Sequence, residues 1–159
     1  RQTSQPSVAD NKNKNPPTVV NKPAPEPIPE PIIAHKNNRF AWPIKGKVIS
    51  KFGAKPGGLY NDGINIKAKN GDVVKSTEDG VVAYVGDELR GYGNLIIIKH
   101  SGDWISAYAH LDKTKVKRGA KVKQGQSIAT VGSTGNVKSP QLYFGLRKGR
   151  EAVNPQTYL

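Results

Sequence analysis

The stretch VKRGAKVKQGQSIATVGSTG, residues 116–135, indicates how this chain folds. Its apolar residues and glycines return at short intervals, as at Val116, Gly119, Val122, Gly125 and Ile128. Glycine permits tight corners and a close approach between strands, so successive short strands can fold back on each other. The stretch therefore predicts a compact sandwich-like barrel, although it says little about function.

Short strand patterns lie on both sides of this stretch. They are rich in β-branched and aromatic residues, and turns that contain Gly, Asn or Asp separate them. No segment keeps a sustained helical period. We therefore predict one all-β domain over residues 40–159, a compact antiparallel sandwich or barrel. The predicted strands cover residues 46–52, 63–68, 72–77, 80–87, 94–100, 104–111, 127–132 and 141–147.

Residues 1–39 have a different composition, rich in Pro, Asn and Lys. They cannot bury enough apolar area to offset the entropy of ordering, so we predict a disordered linker. The run PAPEPIPEP, residues 23–31, favours the polyproline II conformation and a stiff spacer. A recognition role for this run is the alternative to a plain linker, and His35 is expected to be solvated there.

The charge balance is strongly basic, with 25 Lys and Arg against 12 Asp and Glu and a net charge of +13. This favours an anionic partner, such as nucleic acid, an envelope polymer, lipid head groups or an acidic protein, unless it only keeps the surface solvated. The tyrosines are scattered among the lysines, so no aromatic and basic interleaving supports nucleic acid.

The chain has no Cys and no apolar run of 18 residues, which excludes disulfides, thiolate metal sites and a membrane-spanning segment of that length. It begins with Arg1, so we expect a fragment or a processed form.

Few residues could carry catalysis. His100 ends an apolar strand, which favours a structural role. Tyr108 lies two residues before His110, which places both side chains on one strand face, and a lone His there is usually structural or solvent-facing. No catalytic triad, phosphate-binding loop, dinucleotide fingerprint or zinc-ribbon pattern is present, and the scarcity of carboxylates argues against a glycosidase.

The stretch QLYFGLRKG, residues 141–149, alternates like a half-buried strand. Leu142, Phe144 and Leu146 fall on one face, and Gln141 and Tyr143 fall on the other. Two such positions on a strand could serve a metal or catalytic site, but those sites normally use His or Glu. An amide and a phenol at these positions therefore need an explanation.

The order of segments over residues 40–159 resembles the lysostaphin/LytM-type metalloendopeptidase domain. The resemblance rests on the Trp-Pro start, on Gly-Asp-Val-Val, Gly-Tyr-Gly-Asn and Tyr-x-His-Leu, and on the glycine-rich stretch, which are residues 42–46, 71–74, 91–94, 108–111 and 116–135. It implies the all-β fold of that family. The glycine-rich stretch alone is also similar to lipoyl and biotinyl carriers, but no Lys stands in the turn that those carriers modify.

The resemblance also implies a set of zinc and catalytic positions. Asn61 and Asn65 stand where the family has its first His and its Asp ligand, and Tyr143 stands at the third zinc ligand. Gln141 replaces one catalytic His, and only His110 is retained. Asn and Gln offer neutral carbonyl oxygens and Tyr ionises near pKa 10, so we predict no metal, no cofactor and no catalysis.

This pattern resembles the degenerate LytM domains of NlpD- and EnvC-like murein hydrolase activators. The resemblance implies a pseudoenzyme that binds and activates an N-acetylmuramoyl-L-alanine amidase during cell division. Asn61, Asn65, His110, Gln141 and Tyr143 would line the partner groove, with Tyr143 either anchoring the partner or filling the space left by the metal. The Pro-rich tail favours the NlpD-like kind.

The resemblance implies a periplasmic or cell-envelope location and leaves open whether an outer-membrane anchor precedes residue 1. One alternative is a peptidoglycan-binding module that has no protein client. Its glycan peptide would lie in the same groove, and anionic polymer would meet Lys113, Lys115, Lys117, Lys121 and Lys123, unless these lysines are only solvated. The other alternative is a residual zinc endopeptidase of peptidoglycan. No nucleic acid is expected as a partner.

Overall fold

The computed structural model describes residues 39–159, and the predicted linker with its Pro-rich run and His35 lies outside this range except for Arg39. The described residues form an antiparallel β fold, which confirms the predicted all-β class. Its strands are β1 Val48–Ser50, β2 Gly53–Ala54, β3 Tyr60–Asn61, β4 Gly63–Lys67, β5 Val73–Lys75, β6 Gly80–Gly86, β7 Asn94–Lys99, β8 Trp104–Thr114, β9 Lys121–Val122, β10 Ser127–Val131, β11 Gln141–Lys148 and β12 Glu151–Val153.

Each of the eight predicted strands is present, with ends that differ by a few residues. Four further strands, β2, β3, β9 and β12, have only two or three residues, too few for an alternating pattern to be recognised. A single turn of helix, α1 Pro155–Tyr158, follows β12, and the Asn154 side chain caps it by accepting from the Gln156 amide at 3.1 Å. Within residues 39–159 we find no helix long and apolar enough to cross a membrane.

One large sheet has the order β1-β4-β11-β8-β7-β6-β9, and all of its pairs are antiparallel. The long strand β8 links its two parts, because it pairs with β7 and β11 and then with β10 near its end. Strand β10 in turn pairs with β5, and β12 extends β11 at its far end. A central β11 therefore has β4 on one side and β8 on the other, and these three strands position the candidate site.

The core lies against one face of β11. Leu142, Phe144 and Leu146 are fully buried there, as their alternation predicts, and the rings of Phe144 and Tyr108 pack 5.4 Å apart. The other large buried side chains include Ile64, Ile66, Ile96, Ile98, Leu111 and Ile128. Burial of such a side chain contributes about 1.5–3 kcal/mol, so this face supplies the main stabilisation of the sheet.

His100 belongs to a buried polar network beside this core. Its Nε2 lies 2.8 Å from Ser106 Oγ and its Nδ1 lies 2.7 Å from the Asp79 carbonyl, while the hydroxyl oxygens of Ser106 and Tyr108 lie 2.8 Å apart. Burial lowers the pKa of His100, and burial raises the pKa of Tyr108 to about 12. Both groups are therefore neutral at physiological pH, and His100 has the structural role that its strand-end position predicts.

Candidate functional site

Three amide side chains from β3, β4 and β11 join in one hydrogen-bonded chain. Asn61 Nδ2 donates to Asn65 Oδ1 at 3.0 Å, and Asn65 Nδ2 donates to Gln141 Oε1 at 2.9 Å. At the two ends, Asn61 Oδ1 accepts from the Gly63 amide at 3.1 Å and Gln141 Nε2 donates to the Ser139 carbonyl at 3.3 Å. Every group in this amide chain is uncharged, so it ties the strands together without a cation.

Strand register explains why these residues meet. In the β4–β11 pair, Tyr143 lies opposite Asn65 and Gln141 lies opposite Lys67, so Gln141 and Tyr143 flank Asn65 on the same face. Asn61 reaches this face from β3, two residues before β4 begins. Because the core occupies the opposite face, these polar side chains remain half-buried, and only Tyr143 among them is buried.

Tyr143 turns along its strand instead of outward to solvent. It is 8% exposed, and its hydroxyl donates to Asp62 Oδ1 at 2.6 Å. Arg147 Nη2 donates to the other Asp62 oxygen at 3.2 Å. Burial, followed by the hydrogen bond to Asp62, raises the pKa of the Tyr143 phenol well above its usual value. The phenolate that a zinc ion would require is therefore strongly disfavoured here.

Two facing glycines make room for the Tyr143 ring. Gly63 and Gly145 are partners in the β4–β11 register. A Cβ built on Gly63 would lie 2.7 Å from Tyr143 Cε1, and one on Gly145 would lie 2.7 Å from the Tyr143 hydroxyl oxygen. No ordinary contact is that short, so larger residues at either position would displace the ring.

His110 reaches the site through a β-bulge, and this corrects the prediction that it shares a strand face with Tyr108. Ile96 pairs with Tyr108 and Asn94 pairs with Leu111, so three residues of β8 span two residues of β7. His110 takes the left-handed backbone conformation at the bulge, with φ of 64°. Tyr108 stays in the core, while His110 packs on the other face of the sheet. The extra residue breaks the alternation on which the prediction depended.

The imidazole of His110 stands beside an aromatic pair. Its ring centroid is 6.5 Å from that of Tyr143, which in turn lies 5.4 Å from the Tyr92 ring. His110 Nδ1 lies 2.8 Å from the Thr134 carbonyl, which can only accept, so this nitrogen carries a proton. Burial lowers the pKa of His110. The ring is therefore neutral near pH 7, with Nε2 left as a proton acceptor.

The five residues expected at the site adjoin each other in two parts. Asn61, Asn65 and Gln141 form the amide chain, and His110 and Tyr143 form an aromatic contact beside it. Their assignment as a partner groove stays a prediction. Within residues 39–159, no group of three or more His, Asp or Glu side chains is placed to hold a metal ion.

Sequence reasoning missed Asp62, Tyr92 and Arg147, which contact the site. Arg147 lies four residues after Tyr143 on β11, so strand alternation places both side chains on one face. This alternation could have identified Arg147 from the sequence. Asp62 and Tyr92 come from turns whose position depends on the folded sheet. The side chains of Asp62 and Arg147 form an ion pair, and the Asp62 carboxylate of this pair accepts the hydrogen bond of the Tyr143 hydroxyl.

An apolar cavity of about 210 Å³ lies directly beside Tyr143. Its floor follows the sheet, because Gly145, Ala107 and Ile97 are neighbours in the registers of β11, β8 and β7. Ile105 completes its apolar lining, and the Asp62–Arg147 pair lies at its edge. Small residues on the floor and larger ones around them leave room for one apolar side chain.

A second apolar feature precedes the amide chain. Leu59 is 69% exposed and Tyr60 is 63% exposed, immediately before Asn61. The Tyr60 ring packs edge-on against Phe52 at 5.7 Å, which supports it on the β2–β3 hairpin. Two adjacent exposed apolar side chains beside a half-buried polar site suit contact with another molecule.

Comparison with known proteins identifies relatives over this same region. The model of peptidase family M23 matches residues 59–155. Murein hydrolase activator NlpD of Escherichia coli is 52% identical over 120 residues, covering 76% of this chain and 31% of that protein. Cell division protein DipM of Caulobacter vibrioides is 48% identical over 121 residues, covering 76% of this chain and 20% of that protein.

The fold also matches solved structures. The catalytic domain of the peptidase lysostaphin from Staphylococcus simulans superposes with a TM-score of 0.67 at 30% identity, covering 71% of this chain and 91% of that domain. The chain spans less than a third of the length of NlpD and DipM. The family match covers more than half of the chain. The chain therefore belongs to peptidase family M23.

Proposed function

We propose that this chain is a non-catalytic M23 domain that binds an N-acetylmuramoyl-L-alanine amidase and activates it toward peptidoglycan. The amide chain of Asn61, Asn65 and Gln141 carries the proposal. In the family pattern these positions hold a zinc-binding His, a zinc-binding Asp and a catalytic His. Here neutral groups satisfy each other by hydrogen bonds, so nothing at these positions calls for a cation.

The remaining groups do not restore catalysis. Hydrolysis by this family needs a metal that activates water and polarises the scissile carbonyl. Tyr143 is held as a phenol by burial and by Asp62, and its hydroxyl is committed to that carboxylate. His110 offers a neutral base but has no activated water to serve. A binding role needs neither zinc nor a nucleophile.

The names of the relatives support the activator role. NlpD is a murein hydrolase activator and DipM is a cell division protein. Murein is peptidoglycan, so a periplasmic or envelope location and a role in division follow for this chain as part of the proposal. The proposal that the activated hydrolase is an amidase rests on the family resemblance.

The geometry favours particular roles for residues at the proposed interface. Tyr143 is almost fully covered. This favours a role in filling the space that a metal would occupy, and it disfavours a role as an anchor for the partner. Leu59 and Tyr60 expose large apolar area next to the half-buried Asn61 and are better placed as anchors. The cavity beside Tyr143 offers a second point of contact for an apolar side chain.

Release of dye from labelled sacculi tests the proposal. The chain alone, a cognate amidase alone and their mixture are compared, and we expect release above the amidase level only in the mixture. Leu59→Ala should weaken this activation. Val81→Ala, which trims another exposed apolar side chain (43% exposed, against 69% for Leu59) on a strand distant from β4 and β11, is the control and should leave activation unchanged.

Two results would contradict the proposal. Release by the chain alone would identify an enzyme, and near-stoichiometric zinc after purification without added metal would show that the domain holds a metal. Binding of the chain to sacculi, with no activation of any amidase tested, would instead support the alternative of a peptidoglycan-binding module.

A further inference from the structure

Positive charge is segregated within the described domain. Residues 113–123 hold six Lys and Arg and no Asp or Glu, whereas the remainder of residues 39–159 holds 14 basic and nine acidic residues. All six basic residues of this segment are exposed. Evenly mixed charges would only keep the surface solvated. Because the positive charges are concentrated in this segment, they create a local positive field.

Strand register extends the segment into a surface. Val81 of β6 pairs with Lys99 of β7 on one side and with Lys121 of β9 on the other. The three side chains therefore form one row on the same face, and neighbouring strands lie about 4.8 Å apart. Val122 is buried, so Lys121 and Lys123 both lie on the side of the strand away from the core.

The turn before β9 adds two further charges. The Val82 amide donates to the Ala120 carbonyl at 2.9 Å, and the Gly119 amide donates to the Val82 carbonyl at 2.8 Å. These bonds hold the turn against β6, so that exposed Lys117 and Arg118 adjoin the row. We call Lys99, Lys117, Arg118, Lys121 and Lys123, together with Val81, the basic surface.

Nearby carboxylates offset only a small part of the positive charge of this surface. Glu78 forms an ion pair with Arg39 at 2.6 Å, and Asp79 Oδ1 accepts from the Gln124 amide at 2.7 Å. Both acids line the same depression as Lys99, Lys121 and Lys123. Within residues 39–159, none of the five basic residues forms an ion pair with a carboxylate. Their charge is therefore available to a ligand.

We propose that the basic surface binds the anionic head groups of a phospholipid bilayer. Val81 projects among the ammonium groups and is 43% exposed, and a bilayer surface accepts charge and apolar contact at the same level. Four of the five basic residues are lysines, flexible point charges that suit a fluid array of phosphates. No Phe, Tyr or Trp lines the depression, which disfavours single-stranded nucleic acid, since bases stack on aromatic faces.

The basic surface and the candidate site use different parts of the sheet. Strands β8 and β7 separate β11 from β6 in the strand order, and β9 lies at the end of the sheet. Occupation of one does not require residues of the other. A domain held on a membrane by the basic surface therefore keeps Asn61, Asn65 and Gln141 available to a partner.

Vesicle co-sedimentation of the full chain tests this proposal. We expect binding to vesicles of phosphatidylglycerol mixed with phosphatidylcholine, none to pure phosphatidylcholine, and loss of binding in 0.5 M salt. Lys99→Glu, Lys121→Glu and Lys123→Glu together should weaken binding at least about 100-fold, because each Lys near an anionic surface contributes about fivefold and charge reversal adds repulsion. Circular dichroism confirms that the variant is folded.

A matched variant controls for bulk charge. Lys47→Glu, Lys51→Glu and Lys67→Glu change the net charge equally at exposed positions in and around β1 and β4, the opposite edge of the sheet, and should retain most of the binding. Equal loss in both variants, or binding to neutral vesicles, would overturn the proposal. Binding to sacculi that depends on the same three lysines, without binding to vesicles, would also overturn it and would assign the surface to an anionic glycan. Activation of the amidase on sacculi should be unchanged in the variant that carries Lys99→Glu, Lys121→Glu and Lys123→Glu. The membrane proposal and the activator proposal can therefore fail separately.

Discussion

The two faces of strand β11 perform different tasks with alternating residues. On one face, Leu142, Phe144 and Leu146 are fully buried in the core. On the other, Gln141 joins the amide chain and Tyr143 lies over Gly145 toward Asp62. A change of function on one face therefore needs no change in the packing on the other. The separation explains how a domain could exchange metal ligands for neutral side chains and still keep its fold.

The largest effect should come from the core face. Phe144→Ala removes a fully buried ring that packs against Tyr108, and we expect the free energy of unfolding to fall by about 3–5 kcal/mol. Urea denaturation followed by circular dichroism measures it. A loss below about 1 kcal/mol would mean that the core does not depend on this face.

Close packing on the site face should give an intermediate effect. Gly145→Ala places a methyl group 2.7 Å from the Tyr143 hydroxyl oxygen, so we expect a loss of about 1–3 kcal/mol in the free energy of unfolding. In a Tyr143→Ala background most of this cost should disappear, since the obstructing ring is gone.

Gly63→Ala is the control for this pair. Its added Cβ would also lie 2.5 Å from the Phe144 carbonyl oxygen, so Tyr143→Ala should not rescue it. A double-mutant cycle by urea denaturation measures both couplings. If Gly145→Ala costs the same in both backgrounds, the Tyr143 ring does not occupy that space.

The two buried histidines predict a dependence on pH. Burial lowers the pKa of His100 and of His110 in the folded state below the unfolded value near 6.5. The unfolded chain then binds more protons, so stability is full above pH 6.5 and falls as the pH drops toward the folded pKa values. We expect a loss of about 1.4 kcal/mol per histidine for each unit of pKa shift once the pH is below the folded pKa.

Thermal unfolding between pH 8 and pH 5.5 measures this slope. His100→Gln and His110→Gln should each remove part of it, one on the core side and one on the site side. A stability that is flat across this range would contradict the burial of both rings.

The smallest effect should come from the amide chain. Gln141→Ala removes the acceptor for Asn65 Nδ2, but the site is half-buried and water can replace the bond, so we expect a loss of about 0.5–1 kcal/mol. Lys67→Ala, at the exposed position opposite Gln141, is the control and should change stability by less than about 0.5 kcal/mol. A loss above about 2 kcal/mol from Gln141→Ala would give the amide chain a larger structural role than proposed here.

Local patterns in the sequence were sufficient for much of the fold. Alternation predicted which residues of β11 face the core, and turn residues separated all eight predicted strands, because both signals act over a few neighbouring residues. The placement of His100 at the end of β7 likewise predicted its structural role. Strands of two or three residues gave no recognisable pattern, and β9, for example, is defined only by its pairing with β6.

At the site, the sequence by itself determined which residue types are present, and the family resemblance predicted that they stand at the family's zinc and catalytic positions. Tertiary structure decided how they are arranged. The bulge moved His110 away from the face of Tyr108, and the facing glycines Gly63 and Gly145 let Tyr143 turn toward Asp62. Bulges, cross-strand space and hydrogen-bond partners depend on register between segments far apart in the chain, and no local pattern encodes that register.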